Sequence, residues 1–118
     1  MNGNEKLGLS GTKMRTITIA VDIDGTLRCN CSETCRDTND DVVELCRLLK
    51  KMKNTKLVAW SGGGSSYAQS FVDSDERLQA IFGRKCYGKI GAAFKPDIAI
   101  DDVQDTALGV INLIVREK

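Results

Sequence analysis

The chain predicts an α/β fold, a three-layer sandwich around a central, mainly parallel sheet of about five strands. Three observations predict it. Short apolar, β-branched runs recur without polar alternation, as in strands buried on both faces. Between them lie segments whose apolar residues fall three and four apart, the spacing of one helix face. The 118 residues, 42% hydrophobic and 28% charged, suit one compact domain. The sequence shows no internal repeat and no low-complexity block.

Residues 1–14 are rich in Gly, Asn, Ser, Thr and Lys and read as a flexible leader to a single domain over 15–118. Thr16-Ile17-Thr18-Ile19-Ala20-Val21-Asp22-Ile23 is a buried strand, stopped by the turn signal Asp24-Gly25-Thr26. A polar, cysteine-bearing loop fills 27–37. The helix that follows spans 38–53: Thr38 or Asn39 caps it, Asp40 and Asp41 favour its positive end, and Lys50, Lys51 and Lys53 its negative end. Val42, Leu45, Cys46, Leu49 and Met52 form its apolar face. Lys56–Ser61 is a second buried strand, ended by Gly62-Gly63-Gly64. Two short helices are predicted over 65–73 and 75–82, the second closed by Gly83. A short strand follows near Tyr87–Ile90, then Asp97–Ile100 running into Asp101-Asp102. A helical turn through Leu108 and a last strand over 110–115 complete the domain.

Composition removes whole classes of chemistry. There is no histidine, which excludes Ser-His-Asp and Cys-His catalysis, His-ligated zinc and imidazole pH sensing. Acid–base work falls to carboxylates, lysine, tyrosine or cysteine. A formal charge of +1 gives no global field toward nucleic acid or an anionic membrane. No apolar stretch reaches the roughly 18–20 residues of a membrane span, and the N-terminus lacks a secretory core. Five cysteines, an odd count, read as reduced thiols, so the expected location is cytoplasmic with no membrane partner.

Three predicted strands end in polar groups: Asp22 and Asp24, Ser61 beside its glycines, and Asp101 and Asp102. In a parallel sheet those ends share one edge, where open α/β folds place ligand sites. Four carboxylates gathered there repel one another unless a cation sits among them. Mg2+ is the expected cofactor, because it accepts a few carboxylates and keeps several waters. Ser61 and the amides of the Gly62–Gly64 loop, opening a helix, suit phosphate oxygens. The expected chemistry is phosphoryl transfer at a metal–carboxylate site.

These residues resemble a known family. Val21-Asp22-Ile23-Asp24-Gly25-Thr26-Leu27 is similar to the first motif of the haloacid-dehalogenase-like (HAD) superfamily, and Leu57-Val58-Ala59-Trp60-Ser61-Gly62 to its second. Lys95 followed by Ile98-Ala99-Ile100-Asp101-Asp102 resembles the third and fourth. The resemblance covers roughly residues 16–102 and implies a Rossmannoid, Mg2+-dependent phosphatase. Asp22 would be the nucleophile forming an aspartyl-phosphate, and Asp24 the acid and base that also offers its backbone carbonyl to the metal. Ser61, Gly62 and Lys95 would hold the phosphoryl group, Asp101 would ligate Mg2+, and Asp102 would act from behind it. Lys89 and Lys85 are rivals to Lys95, which lies only six residues before Asp101. Neither insertion point for a cap domain has room for one. An uncapped site suits a large phosphorylated substrate, such as a nucleic-acid 3′-phosphate, or a nucleotide; a second subunit in a homo-oligomer is another way to cover it. The Ser-Gly and Ile-Asp-Asp segments also resemble phage-type polynucleotide 3′-phosphatase domains.

Two other readings compete. A non-catalytic module can keep such a fold for binding or assembly. Cys29, Cys31 and Cys35 lie within seven residues and can form a metal–thiolate site, although structural zinc usually takes four ligands in two spaced pairs. Lys50, Lys51, Lys53 and Lys56 read as a solvated helix end rather than a nucleic-acid patch, Trp60 and Tyr67 as packing residues, and Arg28 as a possible substrate contact.

Overall fold

A computed structural model of the protein describes residues 15–29, 37–103 and 108–116. The elements are β1 (Ile17–Asp22), α1 (Asp40–Lys51), β2 (Thr55–Ser61), α2 (Ser65–Asp73), α3 (Glu76–Phe82), β3 (Cys86–Gly88), β4 (Ile98–Asp101) and β5 (Ile111–Ile114). The strands form one sheet in the order β3-β2-β1-β4-β5, and every neighbouring pair is parallel. This is a five-stranded α/β fold compatible with a Rossmann-like arrangement. The expected leader over 1–14 and most of the expected turn before Leu108 lie outside the described residues.

Local chemistry sets the helix ends. Asn39 caps α1 by accepting from the Val42 amide at 3.4 Å, and Asp75 caps α3 by accepting from the Arg77 amide at 2.8 Å. After α1 the chain turns back through Asn54 at φ 65°, a conformation asparagine tolerates better than most residues. Gly83 ends α3 at φ 56°.

Alternation along the strands divides the apolar residues between two faces. Ile19 and Val21 of β1, Leu57 and Ala59 of β2 and Ile100 of β4 meet Val42, Val43 and Cys46 of α1, Ala68 and Val72 of α2, and Leu78, Ile81 and Phe82 of α3. Burial of a side chain such as Phe82, 1% exposed, contributes about 1.5–3 kcal/mol. On the opposite face Ala20, Val58, Trp60 and Ala99 are covered by Ala92, Phe94 and Leu108, which lie in connections.

The described residues show the expected parallel sheet with helices but do not show the three-layer arrangement. Among the described residues all three helices pack on one face. Crossover handedness explains the asymmetry. The path β1 to β2 to β3 steps in one direction across the sheet, so its right-handed crossovers fall on one side. The steps from β3 to β4 and from β4 to β5 run the other way and cross on the opposite face, where the described residues supply the segments 89–97, 102–103 and 108–110.

Candidate active site

The strand order puts β1 between β2 and β4, so the C-terminal ends of all three are adjacent. Asp22 ends β1, Ser61 ends β2 and Asp101 ends β4. Register brings the first two level: Asp22 lies opposite Trp60, and Ser61 follows directly. Residues 22 and 101 are far apart in sequence, yet carboxylate oxygens of Asp22, Asp101 and Asp102 lie within 4.8 Å of one another.

Lys89 neutralises part of this charge. Its Nζ is 2.9 Å from Asp22 Oδ1 and 2.5 Å from Asp101 Oδ2. Its backbone is held as well, since the Lys89 amide donates to the Ser61 carbonyl at 2.9 Å. The Asp101 Oδ1 accepts from the Val103 amide at 3.1 Å, and Asp22 Oδ2 accepts from Thr26 Oγ1 at 3.3 Å.

Burial pushes the Asp22 carboxyl up to about 7, because loss of water outweighs the attraction of Lys89. Burial also raises Asp102, reinforced by its hydrogen bond with Asp101. Lys89 is opposed by burial, but its bonds to Asp101 and Asp22 prevail and lift it above the usual lysine range.

Gly25 makes this packing possible. It sits at φ +79°, and a Cβ there would lie 2.1 Å from Asp102 Oδ2. The surrounding loop is tied by the Arg28 amide donating to the Ile23 carbonyl at 2.8 Å and the Gly25 amide donating to the Arg28 carbonyl at 2.9 Å.

Asp24 points elsewhere. Its Oδ1 accepts from Arg28 Nε at 2.8 Å and from the Tyr67 hydroxyl at 2.7 Å, and its carboxylate is outside the three-carboxylate cluster. Tyr67, expected only to pack, therefore orients a site residue. Ser61 is 2% exposed, and its Oγ accepts from the Gly63 amide at 3.0 Å, at the mouth of the loop that opens α2. Gly62 is exposed beside it.

The lysine among the carboxylates is Lys89 rather than the expected Lys95, which is exposed. The reason is chain direction. Lys89 leaves the C-terminal end of β3, beside Ser61. Lys95 precedes β4, where the neighbouring Asp97 amide donates to the Thr18 carbonyl near the start of β1. The length of β4 alone, about 10 Å, then separates that level from Asp101. Lys85 is likewise exposed, at the opposite end of β3 from Lys89. Of the three loop thiols, Cys31 and Cys35 lie outside the described residues.

The donor set fits a hard divalent cation. Three carboxylates offer oxygen atoms within 4.8 Å of one another, a set that could hold a metal ion. No helix among the described residues is long and apolar enough to cross a membrane. No protein-family model, curated protein or solved structure matches the chain.

Proposed function

We propose that the protein is a phosphatase of the kind its motifs resemble, a HAD-like enzyme without a cap domain that hydrolyses a phosphomonoester through an aspartyl-phosphate on Asp22. The observation that carries this reading is the meeting of Asp22, Asp101 and Asp102 around the Lys89 ammonium, one strand from Ser61.

Asp22 would attack phosphorus through a carboxylate oxygen, forming an O–P bond as the bond to the leaving alcohol breaks. Asp24 would give its proton to that alcohol, with Oδ1 fixed by Arg28 and Tyr67 so that the carboxyl keeps one orientation. Water would then attack the phosphoryl group, passing its proton to Asp24, and inorganic phosphate would leave as the Asp22 carboxylate is restored. Lys89 would partly oppose the effect of burial on Asp22 and offset phosphoryl charge, the role expected of Lys95. Ser61 and the Gly62 amide would hold phosphoryl oxygens. Asp22, Asp101 and Asp102, with the Asp24 carbonyl, would hold Mg2+, which when bound supplies charge neutralisation for the phosphoryl group.

A phosphomonoester assay on wild type and Asp22→Asn, each with and without Mg2+, tests the proposal. Turnover that disappears on either change supports it. Turnover surviving Asp22→Asn, or none by wild type across nucleotides, sugar phosphates and 3′-phosphorylated oligonucleotides, would overturn it in favour of a binding module.

A further inference from the structure

Lys89 begins at one strand and ends at two others. It directly follows β3, with its amide bonded to the Ser61 carbonyl of β2, yet its Nζ reaches Asp22 of β1 and Asp101 of β4. In the order β3-β2-β1-β4 its side chain must therefore pass over β2. The β2 residue in its path is Trp60. That residue pairs in register with Asp22, so the two side chains share the sheet face opposite the helices. The Lys89 ammonium lies 6.0 Å from the centroid of the indole ring, at cation–π range. Phe94 stacks on the same indole at 5.9 Å and 27°, and Tyr87 meets Phe94 edge-on at 5.3 Å. The connection 89–97 thus meets Trp60 twice, once with the ammonium and once with Phe94.

We propose that Trp60 is a positioning residue for Lys89. Its ring is the floor on which the lysine stem crosses β2, and it holds the ammonium between Asp22 and Asp101. The effect on turnover rests on the phosphatase reading above; the placement of Lys89 does not.

Packing alone does not account for a tryptophan here. The residue is 3% exposed, and its Nε1–H has no acceptor among the described residues, an arrangement that costs stability. Phenylalanine or leucine would fill a core without stranding a donor. What tryptophan adds is its ring face, the best of the aromatic partners for a cation. The Lys89 side chain is only 20% exposed, so little water screens that attraction. A lysine stem carries much rotamer freedom. The two carboxylates fix where the ammonium ends, and the ring restricts the path by which it arrives.

Trp60 is the single tryptophan of the chain, so its fluorescence reports this contact without a label and with the residue itself untouched. In EDTA, Lys89→Met should move the emission maximum by several nanometres, because a charge held over the ring is lost, while Lys95→Met leaves it in place. Lys89→Gln, which can still donate to a carboxylate, replaces Lys89→Met if that variant does not melt natively. The second arm is kinetic, with acetyl phosphate as the probe. Trp60→Leu should lower turnover about tenfold, chiefly in kcat, and Trp60→Phe, which keeps a ring, less than about threefold. Both losses should shrink below about twofold in the Lys89→Met background, because residues acting as a unit are not additive. An emission maximum unmoved by loss of Lys89, or a Trp60→Leu loss of equal size with and without Lys89, overturns the assignment. Absence of wild-type turnover overturns the phosphatase reading alone, and the emission result then decides the placement of Lys89.

Discussion

Replacing Gly25 with alanine perturbs the carboxylate cluster without touching a carboxylate. The positive φ of +79° costs an alanine about 1–2 kcal/mol. The new methyl would also sit 2.1 Å from Asp102 Oδ2 and 2.6 Å from its Cγ, so Asp102 must move, adding the roughly 1–3 kcal/mol typical of overpacking. The total, about 2–5 kcal/mol, is a large part of the ~5–15 kcal/mol that holds a domain folded. The two contributions separate in a double-mutant cycle. Asp102→Ala removes the clashing Oδ2 and Cγ while the backbone strain remains, so Gly25→Ala should be milder by about 1–3 kcal/mol in that background. Urea unfolding in EDTA measures the cycle free of metal linkage. A second readout is the Mg2+-induced rise in Tm, which Gly25→Ala should abolish by displacing one of three clustered carboxylates. Stabilities that add within about 0.5 kcal/mol would refute the steric argument.

Two further outcomes follow from the same site. Lys89→Met leaves Asp22 and Asp101 without their cation and should cost about 3–5 kcal/mol in metal-free urea unfolding at pH 8, with at least a roughly hundredfold loss of phosphatase turnover. Lys95→Met should change stability by less than about 0.5 kcal/mol, and the reverse pattern would return the role to Lys95. The pH dependence has a definite sign. The folded Asp22 carboxyl is raised to about 7 from an ordinary value near 3.8, so its contribution is fully present below about pH 4 and is lost as pH rises through 7. Asp102 shifts in the same direction. Asp40, Glu44, Asp75 and Asp97 are lowered by their partners, so their contributions are lost only in more acidic solution. Metal-free stability should therefore fall between pH 5 and 7, while the Tm rise on adding Mg2+ grows over the same interval as Asp22 loses its proton. A Mg2+ effect equal at pH 5 and 8 would contradict this.

Local pattern carried much of this fold in advance. β1, β2 and α1 were legible because a β-branched run, or apolar residues three and four apart, is decided within a few neighbouring positions. The convergence of Asp22, Ser61 and Asp101 was legible too, because parallel strands must all end at one edge. Lys89 was not. Nearness of Lys95 to Asp101 along the chain argued for it, yet a residue just before a strand lies at the far edge from one that ends it. The three residues from Cys86 to Gly88 carry too little pattern to be located firmly, and with them went the level of Lys89. The hydrogen bond from Tyr67 to Asp24 also escaped, since it joins a helix to a loop 43 residues away. Helices on both faces were expected from alternation alone, whereas crossover handedness puts the connections after β3 and β4 on the second face, and the first of these, 89–97, is too short for a long helix.

The central position of β1 has a consequence for synthesis. Among the described strands, the first to leave the ribosome pairs on one side with β2 but must wait for β4 on the other. A chain stopped before residue 98 would end the sheet at β1, with a row of unsatisfied amides and carbonyls beside Ala20 and Val21. Such fragments would lack two of the three clustered acids and would offer a template for strand addition from any neighbour. Premature termination is thus expected to yield aggregation-prone products, and cellular quality control would meet them as an exposed β-edge.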